Sequence, residues 1–216
     1  MSELTLEIAG PPVFRWRAGQ YLTLHPEGGT GAHEGPLAYS IASACDGGEP
    51  ARLALAVGPG SGADVLADAG PGTRLEIDGP FGTFTLPRAP GALLVGSGTG
   101  VAPLRAHVGE WLGETNGEPV VLVVGARTEA DLLWHAEFVA RAQATPRFRY
   151  QPVLSQPSGA WTGRSGRVQA HLPELVATLP RGSVARVCGS KPMVESCLTL
   201  LENLGIPRTN REAESY

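Results

Sequence analysis

From Leu4 to about Leu86 the apolar residues come in short runs broken by turns: "LTLEIA", "YLTLHP", "LAYSIAS", "ARLALAV" and "RLEIDGP". Runs of this length bounded by Gly and Pro read as strands of a small antiparallel β-barrel or sandwich. One helix interrupts them, Ala63 to Ala69, entered through the glycine-rich "GPGSG", while "EGGTGAHEG", Glu27 to Gly35, reads as an exposed hairpin connection. After Pro87 the pattern changes. "ALLVGSGTG" is a buried strand running into a glycine turn, "VAPLRAHVGEWL" is helical, and "PVVLVVGA" is a continuous apolar run of the kind parallel strands show. The helix "EADLLWHAEFVARAQ" and the strands "FRYQPVLSQ" and "SVARVCGS" follow. The amphipathic helix "KPMVESCLTLLENLG" comes last, closed by Gly205 as a C-cap. Strands alternating with helices predict an α/β doubly wound parallel sheet. The two patterns divide the chain into residues 1–88 and 89–216 through the linker-like "LPRAPG".

Composition narrows this picture. The 29 Gly and 19 Pro among 216 residues are high for a globular chain, but 42% hydrophobic content argues for many turns rather than disorder. A net charge of -4 gives no reason to propose a nucleic-acid or membrane-surface partner. Nothing resembles a signal peptide, and no apolar run is long enough to span a bilayer. Cys45, Cys188 and Cys197 lack metal-like spacing and cannot all pair within the chain. That points to a reducing cytoplasm, and excludes an iron–sulfur cluster held by four cysteines of this chain.

The strongest local signal is "LLVGSGTGVAP". A buried strand ending in Gly96-x-Gly98-x-Gly100 and then a helix gathers backbone N–H groups and a helix N-terminus at one point, where a phosphate would bind. The spacing departs from GxGxxG, and ordinary tight-turn glycines remain an alternative. In "VCGSKPM", Cys188 ends a predicted strand, where ligands of open α/β sheets collect; a buried cysteine acting as a small hydrophobe is the plainer reading. "DGPFGTF", Asp78 to Phe84, reads as a packed turn, and the C-terminal "EAESY" as a solvated tail.

In this order the segments resemble the ferredoxin–NADP reductase superfamily over nearly the whole chain. "FRWRAGQYLTL" is similar to the family's AGQY strand and "LAYSIAS" to its R-x-Y-S flavin strand. "GSGADVL" lies where a G-x-x-S helix start follows, and "GPFGTF" is similar to the closing barrel turn. "GSGTGVAPLR" is similar to the pyridine-nucleotide pyrophosphate loop and "GARTEADLLWHAEF" to the second nucleotide strand and helix; "WTGRSGRV" and "VCGSKPMVESCLTLLENLG" complete the series. The resemblance implies a flavin-binding barrel over residues 1–88 and a five-stranded NAD(P)-binding sheet over 89–216. It implies a flavoprotein oxidoreductase using FAD rather than FMN, with NADH or NADPH as hydride donor.

The resemblance also assigns roles. Tyr39 would stack on the flavin ring, Ser40 would reach its hydride-accepting nitrogen, and Ile41 would offer backbone contacts. Gly60, Gly62 and Ala63 would lie at the flavin phosphate. Gly96, Gly98, Thr99, Gly100 and Pro103 would form the pyrophosphate site, with Arg127 on the nucleotide's far end. Cys188 and Gly189 would lie beside the nicotinamide, Cys188 for positioning rather than as a nucleophile. Glu214 would join a polar cluster with Ser40 and Cys188, and Tyr216 would cover the nicotinamide side of the flavin.

Two positions depart from the pattern. Leu37 stands where the arginine of R-x-Y-S neutralises the flavin phosphate, and Ala63 where the serine of G-x-x-S would stand. Losing a charge-assisted contact weakens binding by roughly 1.5–3 kcal/mol, so loose or exchangeable flavin is an expectation. About one strand precedes AGQY where the resemblance implies two: either a strand is missing or the given start is internal. Gln156, where an arginine is often found, tilts the expectation to NADH, with Arg127 and Arg164 or Arg167 as the basic residues for a phosphate. Three functions stay open. The first is a reductase feeding a separate ferredoxin, flavodoxin or oxygenase component. The others are an NAD(P)H:flavin reductase using free flavin, and a non-catalytic subunit keeping the fold.

Overall fold

Strands of alternating burial such as Tyr21–His25 occur in the N-terminal half, and uninterrupted apolar runs such as Val120–Ala126 form the centre of the C-terminal sheet. The computed structural model describes residues 1–10, 14–25, 35–48, 51–58, 66, 70–114 and 117–216. The expected helix Ala63–Ala69, apart from Leu66, and the loop Glu27–Gly35, apart from Gly35, lie outside the described residues.

Strand β1 (Ser2–Glu7) pairs antiparallel with β4 (Arg52–Val57), and β2 (Tyr21–His25) lies between β3 (Leu37–Ser40) and β5 (Glu76–Phe81), antiparallel to both. A bridge from Ile41 to Leu55 and the Ala42 N–H bond to the Ala54 carbonyl (2.7 Å) join the two sheets. Their inner faces enclose a core of Trp16, Leu22, Leu24, Tyr39, Leu53 and Leu55 with their neighbours.

The second half is one parallel sheet. Strands β6 (Ala92–Ser97), β7 (Val120–Ala126), β8 (Phe148–Leu154), β9 (Arg164–Ser165), β10 (Val184–Gly189) and β11 (Arg211–Ser215) pair in the order β11-β10-β6-β7-β8-β9. It has six strands where five were expected, β9 being only two residues long. The C-terminal segment is no solvated tail: its backbone continues the sheet beside β10. Because successive side chains alternate between faces, Leu94, Leu122 and Phe148 bury under α1 (Val101–Glu114) and α2 (His135–Ala144). Leu93, Val121 and Val187 bury under α3 (Leu172–Ala177) and α4 (Lys191–Asn203) on the other face. Helix α4 ends before Gly205, whose φ of +86° suits a residue that closes a helix. Among the described residues no helix is long and apolar enough to cross a membrane.

The segment expected as one helix from Glu129 is broken. A 3-10 turn, Glu129–Asp131, is held by a capping box between Thr128 and Asp131, and α2 starts only at His135. Trp134 between them has φ +56°, which an L-residue other than Gly adopts rarely. Its ring lies 4.6 Å from the Arg105 guanidinium of α1, and its indole N–H donates to Glu3 of β1. Trp134 therefore touches both halves.

The connection after β5 is not a free linker. Phe84 and Leu86 are buried in the core under α1. The Phe84 carbonyl accepts from His107 Nε2 (2.8 Å), and the Thr85 carbonyl accepts from Arg186 Nε (2.9 Å) and Nη2 (2.7 Å). Glu110 of α1 accepts from the Ala18 N–H (2.7 Å) and from Arg17 (3.0 Å), and Arg105 donates to the Ala42 carbonyl (3.2 Å). Small residues let the halves approach: Ala42, Ala54 and Ala56 pack on Ala102 of α1.

Candidate functional site

Strand β6 lies between β7 and β10, so the chain leaves it in one direction and returns on its other side. The carboxyl ends of β6 and β10 therefore flank a switch point, where crossovers diverge and leave a crevice. Gly96 and Ser97 end β6, and Gly98–Gly100 form a single 3-10 turn into α1. Each glycine permits a close approach within the protein. A Cβ on Gly96 would lie 2.7 Å from Leu104 of α1, one on Gly100 2.4 Å from the Cys188 carbonyl, and one on Gly98 2.5 Å from the Tyr216 hydroxyl. The turn is thus sealed against helix, strand and C-terminal residue, and α1 aims its N-terminus at the crevice. Pro103 sits buried in the first turn of that helix, where a missing N–H breaks no helical bond. The Thr99 methyl reaches Gly58 at the end of β4 (2.7 Å from a Cβ built there), which brings the antiparallel half to the turn.

Cys188 lies between Gly96 and Glu214 in register. Burial, and then the negative charge of Glu214, push its thiol up to about 12, so it stays neutral at neutral pH. Burial, and then the Glu212 carboxylate, raise the Glu214 pKa as well. Tyr216 donates from its hydroxyl to the Ser97 carbonyl (2.7 Å) while its ring stays largely exposed. Gly189 admits Met193 and Ser97, each 2.5 Å from a Cβ built there. The structure thus gathers Gly96, Gly98, Gly100, Cys188, Gly189, Glu214 and Tyr216 at one place.

The antiparallel side is arranged differently. Ser40 is half-buried, pairs across the sheet with Tyr21, and its hydroxyl makes no hydrogen bond among the described residues. Tyr39 points the other way, 4% exposed, into the barrel core, and Leu37 packs against that core. Ile41 offers no free amide: its N–H already donates to the Gln20 carbonyl (2.9 Å), because the strand continues past Ser40. No hydrogen bond joins Ser40 to Cys188 or Glu214 among the described residues. Gly60, Gly62 and Ala63 lie outside them.

Beside the glycine turn, a cleft of about 360 Å³ runs along the carboxyl ends of β6, β7 and β8, lined by Ser97, Gly98, Arg127, Asp131, Arg167 and Met193 among others. The guanidiniums of Arg127 and Arg167 make no ion pair or hydrogen bond among the described residues. Arg164 is committed, to Gln151 (2.7 Å), His171 (3.1 Å) and Glu174. Gln156 is exposed and does not line the cleft. A glycine turn, a helix N-terminus and two uncommitted guanidiniums fit an anionic dinucleotide. For a flavin the fit is uneven, since the Ser40 hydroxyl is available but the Tyr39 ring is not open.

Residues 94–198 match the oxidoreductase NAD-binding domain family. Ferredoxin–NADP reductase B of Sorangium cellulosum is 38% identical over 227 residues, covering 99% of this chain and 91% of that protein. The chain belongs to the ferredoxin–NADP reductase superfamily. As a member of this superfamily it is an NAD(P)H-dependent flavoprotein oxidoreductase. The reductase component of propane 2-monooxygenase from Mycolicibacterium goodii is 26% identical, covering 99% of this chain but 62% of that protein. The Amycolatopsis cytochrome P450 reductase GcoB superposes with a TM-score of 0.84 at 30% identity, covering 99% of this chain and 64% of that one. The chain thus spans less than two thirds of these last two relatives.

The resemblance did not single out the polar residues this superfamily member buries between its halves. His107 falls inside the apolar helix pattern "PLRAHVGEWL", and Arg186 interrupts the apolar strand "SVARVCGS". A charged or polar residue at a core position was the available signal, since such groups stay buried only with partners.

Proposed function

We propose that the chain passes a hydride from a bound nicotinamide to FAD and hands the electrons to a separate redox protein. The observation that carries this reading is the switch point: a neutral Cys188 thiol flanked in register by Glu214 and Gly96, beside a glycine turn whose Gly98 lines a cleft with uncommitted cations. In this reading the turn's N–H groups and the α1 N-terminus hold the pyrophosphate. Cys188 presents an uncharged surface to the nicotinamide, and Tyr216 shields the approach until a ligand takes its place. Ser40 donates to the flavin ring, and the boundary between the two binding units falls near residue 88. Bound FAD would supply the hydride acceptor and release electrons one or two at a time. Relatives named as a ferredoxin–NADP reductase and as a monooxygenase reductase component support a ferredoxin or an oxygenase component as acceptor.

Leu37 and Tyr39, both turned into the core, favour a second reading in which flavin is an exchangeable substrate. The visible spectrum separates the two. Yellow protein that bleaches with NAD(P)H under anaerobic conditions supports the bound cofactor; colourless protein that oxidises NAD(P)H only with added flavin supports the second. Absence of NAD(P)H oxidation in both conditions would remove both readings.

The cleft favours NADPH over the NADH expected from Gln156, because the Arg127 and Arg167 guanidiniums are available to pair with an extra phosphate. Each such contact is worth roughly 1.5–3 kcal/mol. Arg127→Ala and Arg167→Ala are expected to lower kcat/KM for NADPH by about tenfold or more each, with that for NADH nearly unchanged. Equal losses for both nucleotides would count against this assignment.

A further inference from the structure

We propose that His107 and Arg186 lock the segment Phe84–Thr85 and thereby set how the antiparallel half sits against the parallel sheet. They are positioning residues for the transfer proposed above, on which this inference rests. Two successive backbone carbonyls of the connecting segment are each read by a side chain from the far half. Phe84 O takes the His107 Nε2–H at 2.8 Å, and Thr85 O takes both Nε and Nη2 of Arg186, at 2.9 and 2.7 Å. The Phe84 ring lies between them, 5.4 Å from the imidazole and 5.9 Å from the guanidinium. Gly19 closes over the same point: a Cβ there would lie 1.8 Å from the Phe84 carbonyl and 2.6 Å from His107 Nε2.

The elements that supply the lock also build the site. His107 is on α1, which starts at the glycine turn. Arg186 is on β10, two residues before Cys188 and on the same face of the sheet. A shift of Phe84–Thr85 against these side chains is therefore a shift of the antiparallel half against Cys188. Misplacement by 1 Å is enough to slow a transfer about a hundredfold. Core packing alone does not account for these residues. Both are buried, His107 completely, and its Nδ1 makes no hydrogen bond among the described residues. Apolar residues of similar volume would be easier to bury there. His107 spends its hydrogen bond on the connecting segment, and Arg186 donates twice to it while also pairing with Glu212 (3.2 Å) and donating to the Ala185 carbonyl (3.0 Å).

The test uses the full chain with His107→Phe, Arg186→Met and His107→Gln, the last of which keeps an N–H donor. Two quantities are read: the rate of tryptic cleavage after Arg88, just beyond the locked segment, and the split of kcat from KM in NAD(P)H oxidation. Circular dichroism establishes that each variant is folded. The expected result is that His107→Phe and Arg186→Met speed cleavage about tenfold and lower kcat about tenfold with KM within twofold. His107→Gln should restore both. Wild-type cleavage in folded variants, a change in KM alone, or failure of glutamine to rescue would overturn the lock. If His107→Phe does not fold, Arg186→Met and His107→Gln decide between the same two outcomes. If the wild type oxidises no NAD(P)H, the functional reading fails, while the cleavage rates still decide the lock.

Discussion

In the parallel half, the residues expected at the site meet where two strands end and a cleft opens; in the antiparallel half, two of the three described ones lie inside the core. Cys188, Glu214 and Gly96 are placed by the register of β6, β10 and β11, and Gly98 and Gly100 follow in the turn that leaves β6. Tyr39 and Ile41 are instead occupied by their own sheet, one by packing and the other by a hydrogen bond. One half holds its site ready through main-chain geometry. Among its described residues, the other presents only Ser40.

The largest expected effect breaks the ready-made side. Gly100→Ala places a methyl 2.4 Å from the Cys188 carbonyl oxygen and 2.6 Å from its carbon, both fixed in the sheet. It should destabilise the protein by about 3 kcal/mol and abolish nucleotide binding, read by thermal unfolding and by titration. An unchanged melting temperature would show that the turn does not rest on β10.

The junction between the halves should respond to acid. Burial, opposed by the Phe84 hydrogen bond, lowers the His107 pKa to about 4, below the usual 6.5. The unfolded chain then binds a proton that the folded chain refuses. Stability from the neutral ring is present above pH 6.5 and is lost as pH falls towards 4, by about 3 kcal/mol in total. Denaturant melts between pH 7 and 4 should show this slope, and His107→Gln should flatten it. Equal slopes in both proteins would place the sensitive group elsewhere.

A smaller effect sharpens the antiparallel side. Leu37→Arg restores a cation at the position where the resemblance expects one, and should tighten flavin binding about tenfold in a fluorescence titration. Because Leu37 packs against the barrel core, the same change should lower stability by about 1 kcal/mol. Unchanged flavin affinity would mean that this strand is not the flavin strand.

What was legible in the sequence follows the same division. Apolar runs such as "PVVLVVGA" announce a strand buried on both faces, and a glycine cluster after such a run announces a turn at the strand's end. The C-terminal strand was not legible, because "REAES" lacks an apolar run and joins the sheet mainly through its backbone pairing with β10. The direction in which Tyr39 points was not legible either. A tyrosine in an alternating strand suits either face, and only the pairing with Leu22 turns it inward. His107 and Arg186 were visible as interruptions, but the Phe84 and Thr85 carbonyls they meet lie far along the chain, and side-chain patterns are silent on main-chain partners.

Trp134 gives the protein an optical gauge of its own. Its indole is tied to Glu3 in one half and lies against Arg105 in the other, on a residue with left-handed backbone. A guanidinium over the ring and a carboxylate on its N–H both tune indole emission. A change in spacing that breaks the Glu3 contact would therefore alter this indole's share of the light from the four tryptophans, without a label.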